Sequence, residues 1–99
     1  MANAQVVQVT VDGPSRIVNL PDDANASIMI AATSWDGGTT AALEGSTNGG
    51  RLWAPVREGG VPVVASSNLL LYVEGNGSLR LNVSGIGTTT GLELAVSYR

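Results

Sequence analysis

The side chains in this chain that could do chemistry are eight carboxylates, five arginines, two tyrosines and a supply of Ser and Thr hydroxyls; His, Cys and Lys are all missing. Without imidazole, thiol or amine there is no ready proton-transfer base, no thiolate nucleophile, no disulfide and no structural zinc. A hydroxyl nucleophile needs a neighbouring base to activate it, and the serines and threonines have none. Glycoside hydrolysis requires two acids facing one cleft, whereas Asp12, Asp36, Glu44, Glu58, Glu74 and Glu93 are scattered over turns and polar strand positions. Asp22, Asp23 and Asn25 offer oxygen ligands of the kind calcium takes, but the segment lacks the regular spacing and closing Glu of a dedicated loop and reads as a solvated turn. Gly37-Gly38 and Gly59-Gly60 precede neither a Lys nor a helix, so they do not cradle phosphate. Binding is the chemistry left over, and Trp35 and Trp53 are the two residues suited to stack on a sugar ring. The expectation is a protein that is not an enzyme and holds no metal or cofactor.

The elements that must position these residues are strands. Leu79, Leu81 and Val83 alternate with Arg80, Asn82 and Ser84; Leu92, Leu94, Val96 and Tyr98 alternate with Glu93, Ala95 and Ser97; and Val7, Val9 and Val11 alternate with Gln8 and Thr10. A period of two buries one face, as an antiparallel sheet of a sandwich requires. Strands are expected over 4–11, 15–20, 26–33, 39–45, 51–57, 60–65, 69–74, 79–84 and 92–98. Turn chemistry separates them at Asp12-Gly13-Pro14, Pro21-Asp22-Asp23, Asp36-Gly37-Gly38, Asn48-Gly49-Gly50, Glu58-Gly59-Gly60, Gly75-Asn76-Gly77 and Gly85-Ile86-Gly87. The prediction is all-β: one domain spanning 1–99, a single antiparallel β-sandwich of about eight short strands, jelly-roll or immunoglobulin-like. Its core should hold Val7, Val9, Val11, Ile28, Ile30, Leu43, Leu71, Val73, Leu79, Leu81, Val83, Leu92, Leu94 and Val96.

Pro55 and Pro62 interrupt strand-like sequence, and a residue without an N–H is tolerated there only at an edge, a strand start or a bulge. The segment 51–65 is therefore expected at a sheet edge, guarded by its prolines with Arg51 and Arg57, or covered by another subunit, since Lys, the usual edge guard, is lacking.

Charged residues are 13% of the chain and the formal net charge is -3. That is about half the charge cover of an ordinary soluble domain, and it assembles neither a nucleic-acid footprint nor a polybasic membrane patch. No apolar run approaches the ~20 residues of a membrane span. The opening Met1-Ala2-Asn3-Ala4-Gln5 leads into strand sequence with no signal-peptide pattern, so synthesis in the cytosol is expected. A sparsely charged surface of Ser, Thr, Asn, Gly and Ala suits repeated packing against neighbours, which points to an assembly protein. Interface candidates are the N-terminal segment Met1, Ala2, Asn3, Ala4 and Gln5, expected to help anchor the protein, and Arg51, Arg57 and Pro62 on the edge.

Two stretches twelve residues apart, Ser34-Trp35-Asp36-Gly37-Gly38-Thr39-Thr40-Ala41 and Ser46-Thr47-Asn48-Gly49-Gly50-Arg51-Leu52-Trp53, resemble the Asp-box, a hairpin motif of sialidases and many unrelated β proteins. The first has Ala41 where Trp is expected; the second has Asn48 for Asp and Leu52 for Thr. A sialidase propeller needs several times this length and an arginine cluster, so the motif is read as a structural turn device. Leu43, Gly45, Ser46, Gly49, Gly50 and Trp53, with Leu79-Arg80-Leu81-Asn82-Val83-Ser84-Gly85, resemble a stretch recurring in small β-sandwich structural proteins of tailed bacteriophages. The resemblance covers roughly residues 43–84. It implies a virion protein assembled in the host cytoplasm, a head decoration (cement) protein or a tail or fibre component, with the major capsid protein or other virion proteins as partner; the low charge cover and the unguarded edge add the expectation of a homo-oligomer. The alternative is a carbohydrate-binding module using an exposed Trp35 or Trp53.

Overall fold

In the computed structural model, which describes residues 3–20, 25–74 and 77–98, every regular element is a β-strand. In chain order these are β1 (Asn3–Val9), β2 (Gly13–Pro14), β3 (Val18–Leu20), β4 (Asn25–Ala31), β5 (Thr40–Ser46), β6 (Ala54–Pro55), β7 (Arg57–Glu58), β8 (Val61–Pro62), β9 (Val64–Ala65), β10 (Leu69–Glu74), β11 (Gly77–Ser84) and β12 (Leu92–Tyr98). The short pieces are interrupted strands. Both β2 and β3 pair with β11, Pro14 opposite Asn82 and Val18 opposite Leu79. Four steps along one side answer three along the other, so one extra residue bulges out between them. Ser15 bridges the gap: its N–H donates to the Leu81 carbonyl (2.7 Å) and its Oγ accepts the Leu81 N–H (3.0 Å).

Likewise β6 and β9 both pair with β5, and between them residues 57–62 leave the sheet as the β7–β8 hairpin. Gly59 and Gly60 turn it with φ of 60° and 81°, the consecutive positive values that a two-residue hairpin turn favours. The Val63 N–H closes its base on the Val56 carbonyl at 2.8 Å.

Counting each interrupted strand once leaves eight. Sheet I runs β1-β12-β4-β10; sheet II runs β2/β3-β11-β5-β6/β9; every pairing is antiparallel. The first strand pairs with the last, the second with the seventh, the third with the sixth and the fourth with the fifth. That nesting is a hairpin of four strand pairs wrapped into two sheets, and it selects the jelly roll from the two expected sandwiches.

The inward faces enclose one core. Ile28, Ile30, Leu92, Leu94 and Val96 from sheet I meet Val18, Leu43, Leu79, Leu81 and Val83 from sheet II, all buried. Two core expectations need correction. Val11 is 68% exposed, because β1 ends at Val9 and the chain is already turning toward β2. Val73 is only half-buried, near the end of edge strand β10. Residues 51–53, expected in a strand, belong to the turn after β5. The segment expected at an edge is at one: β6 and β9 form the outer margin of sheet II, with Pro55 opposite Glu44. Pro14 stands on the other margin of the same sheet.

Candidate functional site

Each glycine-rich repeat builds a different end of the molecule. In the second, Ser46 ends β5 buried, and its Oγ accepts the Gly50 N–H at 3.0 Å while donating to Asn48 Oδ1 at 2.8 Å. Asn48 Oδ1 also accepts the Leu52 N–H at 3.1 Å, so an amide oxygen serves where an Asp-box would use a carboxylate. Gly49 and Gly50 carry the chain through positive φ. The result holds Trp53 in place: its Nε1–H donates to the Gly50 carbonyl at 3.1 Å, and the Arg80 guanidinium lies 4.2 Å from the ring centroid, within cation–π range. Arg80 is itself held by Glu44, Nε to Oε1 at 2.7 Å.

Trp53 lines an open groove of about 850 Å³. Its lining takes in Leu52 and Trp53 of the turn, Tyr72 and Val73 of β10, and Leu20, Val56 and Leu79, with Thr47, Asn48 and Ser78 supplying polar groups. Arg57 is the one charged residue among the described residues of this lining. The groove lies where the margin of sheet I (β10) and the margin of sheet II (β6) flank the same opening.

The first repeat is a knot between loops. The Asp36 carboxylate accepts the Gly38 N–H (2.9 Å), the Thr88 N–H (3.1 Å) and the Thr88 hydroxyl (3.1 Å). These donors, the Gly38 N–H foremost, favour the charged form and hold its pKa below the usual carboxylate value. Thr39 Oγ1 donates to the Gly85 carbonyl at 2.7 Å, and Asp12 Oδ1 accepts the Ile86 N–H at 2.8 Å. Trp35 is half-buried against the core, its Nε1–H on Asn68 Oδ1 at 2.7 Å. Trp35 does not line the Trp53 groove, and neither indole stands fully exposed: both are half-buried. Asp22 and Asp23 lie outside the described residues, and Asn25 begins β4.

The interface candidates fall on two flanks. Met1 and Ala2 lie outside the described residues; Asn3, Ala4 and Gln5 form the start of edge strand β1, where Gln5 Nε2 donates to Tyr98 Oη (3.1 Å) and, more weakly, to the Asn19 carbonyl (3.4 Å). That second contact sets β1 beside β3. Arg51 is exposed in the turn after β5, and Arg57 and Pro62 are exposed on the β7–β8 hairpin that leaves the opposite margin of sheet II, with Arg57 Nη1 on the Gly60 carbonyl at 3.1 Å. The structure does not bring the two groups together.

A surface that the sequence reading missed lies on the outside of sheet I. Val6 pairs with Ala95, Ala95 with Met29, and Met29 with Leu70, so these four residues form an apolar row across all four strands. Val6 is 56% exposed, Met29 44% and Leu70 74%. The flanking row is Ala4, Ser97, Ser27 and Tyr72. Glu93 is the one carboxylate among the described side chains of this face, whereas the outside of sheet II carries the Glu44–Arg80 pair with Asn19, Ser78 and Asn82. The signal was present: Val6-Val7, Ile28-Met29-Ile30 and Leu69 to Val73 are unbroken apolar stretches, and a sandwich strand can bury only alternate residues of such a stretch. Comparison with protein-family models, curated proteins and solved structures finds no match for this chain.

Proposed function

We propose that the protein is a non-enzymatic structural component of a virus particle, a capsid decoration protein that docks on the assembled coat through the outer face of sheet I. The observation that carries this reading is the apolar row Val6–Ala95–Met29–Leu70, on a face where Glu93 is the one charged residue among the described side chains. Monomeric soluble proteins rarely expose contiguous apolar surface across a whole sheet. Four strands at about 4.8 Å spacing and roughly 20 Å length set the extent of that face. Docking with it buries on the order of 1,000 Å² from both partners together, the threshold of a specific interface.

The jelly roll hosts viral coat and lectin domains alike, so fold alone assigns no role. The phage-protein resemblance in residues 43–84 and the low charge cover favour the particle; a tail position uses the same face. Sheet II is the side fitted to face water, with its ion pair and proline-marked margins. In particles purified from the cells that make this chain, the protein should be present in simple stoichiometry to the major coat protein. Its absence from them would overturn the reading.

A further inference from the structure

We propose that Asn48 is a modification site: the Gly49 backbone nitrogen displaces its side-chain amide as ammonia, water opens the ring so formed, and the turn keeps the resulting aspartate in place of the asparagine. The site is independent of the particle-docking reading, since no residue of the sheet I row takes part in it.

Sequence and exposure single out this residue. Ring closure is easiest where the following residue has no side chain, and Asn48 and Asn76 are the two asparagines that precede a glycine. Asn76 lies outside the described residues. Asn48 and Gly49 are both exposed, and nothing stands within 4 Å of where a Gly49 Cβ would be. Among the described residues the Gly49 N–H has no acceptor, so the attacking nitrogen gives up no hydrogen bond.

The Gly49 nitrogen loses its proton to water and bonds to Asn48 Cγ; the Cγ–Nδ2 bond breaks and ammonia leaves. Water adding at Cγ then restores the peptide to Gly49 and leaves aspartate. Water adding at the main-chain carbonyl carbon leaves isoaspartate, whose backbone is one carbon longer. In either case asparagine and water give a carboxylate and ammonium.

The bonding of the turn favours aspartate. Asn48 Oδ1 accepts from Ser46 Oγ at 2.8 Å and from the Leu52 N–H at 3.1 Å, while Nδ2 donates to none of the described residues. The Leu52 N–H settles which atom is oxygen, because an amide nitrogen accepts no hydrogen bond. Losing Nδ2 removes none of these contacts, and both donors then face a carboxylate, which strengthens them. Asp36 shows the same bonding in the first repeat, accepting the Gly38 and Thr88 N–H groups. Isoaspartate lengthens the path from Ser46 to Gly50, whose N–H returns to Ser46 Oγ at 3.0 Å, and so opens the turn.

The experiment ages the intact protein at mildly alkaline pH, cleaves it after arginine, and reads amide loss at each asparagine by fragment-ion mass spectrometry. Asn19, Asn25 and Asn48 fall in the peptide 17–51, Asn68 and Asn76 in 58–80. Asn48 should convert about tenfold or more faster than Asn19, Asn25, Asn68 and Asn82, the effect of a modest difference in barrier. Gly49→Ala should slow it severalfold, and Asn48→Asp should fold with a thermal midpoint at or above the parent's. The proposal is overturned if Asn48 converts no faster than those four, if no aspartate forms at position 48, or if Asn48→Asp melts below the parent.

Discussion

Two residues in the loop knot carry measurable weight. Asp36 accepts three hydrogen bonds in its charged form, so its folded pKa lies below the 3.8 it takes unperturbed. A depressed folded pKa contributes stability that is fully present above the unfolded value and is lost as pH falls through the folded one. Thermal midpoints measured from pH 7 down to pH 2 should therefore drop on the acid side, and Asp36→Asn should flatten that drop while lowering the midpoint at neutral pH. An unchanged acid profile in the variant would show that Asp36 contributes nothing. Gly85 is the second case. It sits at φ 68°, and a Cβ there would lie 2.6 Å from the Gly38 carbonyl oxygen. Gly85→Ala should cost about 1–3 kcal/mol, against only about 1 kcal/mol for Gly49→Ala, whose φ is also positive but whose surroundings are open. Chemical denaturation of the pair separates steric conflict from backbone preference.

At the scale of elements, the alternating strands were legible and the interrupted ones were not. The pattern Leu79-x-Leu81-x-Val83 assigns β11 with its inward face, because period two has one meaning in a sheet buried on one side. Leu81, fully buried between the sheets, should cost about 2–5 kcal/mol when truncated to Ala, and a loss under about 1 kcal/mol would misplace it. Pro55 and Pro62 correctly marked an edge, yet nothing local announces that 57–62 leaves the sheet as its own hairpin; the excursion depends on Val56 and Val63 closing on each other. The Ser46–Trp53 turn was legible as a device through Asn48-Gly49-Gly50, whereas its contact with Arg80 and the part of Tyr72 in lining the same groove come from strands far along the chain. Trp53→Phe forfeits the bond to Gly50 and should lower the thermal midpoint modestly with the fold intact.

At the scale of the molecule, the two outer faces differ in kind. Sheet II carries an ion pair and a proline on each margin, which blunts strand addition. Sheet I carries the apolar row, and its margins β1 and β10 contain no proline. Placing Ile28, Ile30 and Leu71 in the core already turned Met29 and Leu70 outward, whereas only the strand pairing lines them up with Val6 and Ala95 as one row. Docking by this face is the central claim, and occupancy of Leu70→Glu on purified particles, measured beside its thermal midpoint, tests it most directly. Leu70 is 74% exposed, so the variant should melt like the parent while its copy number per particle falls severalfold. Parental occupancy at an unchanged midpoint would contradict the claim.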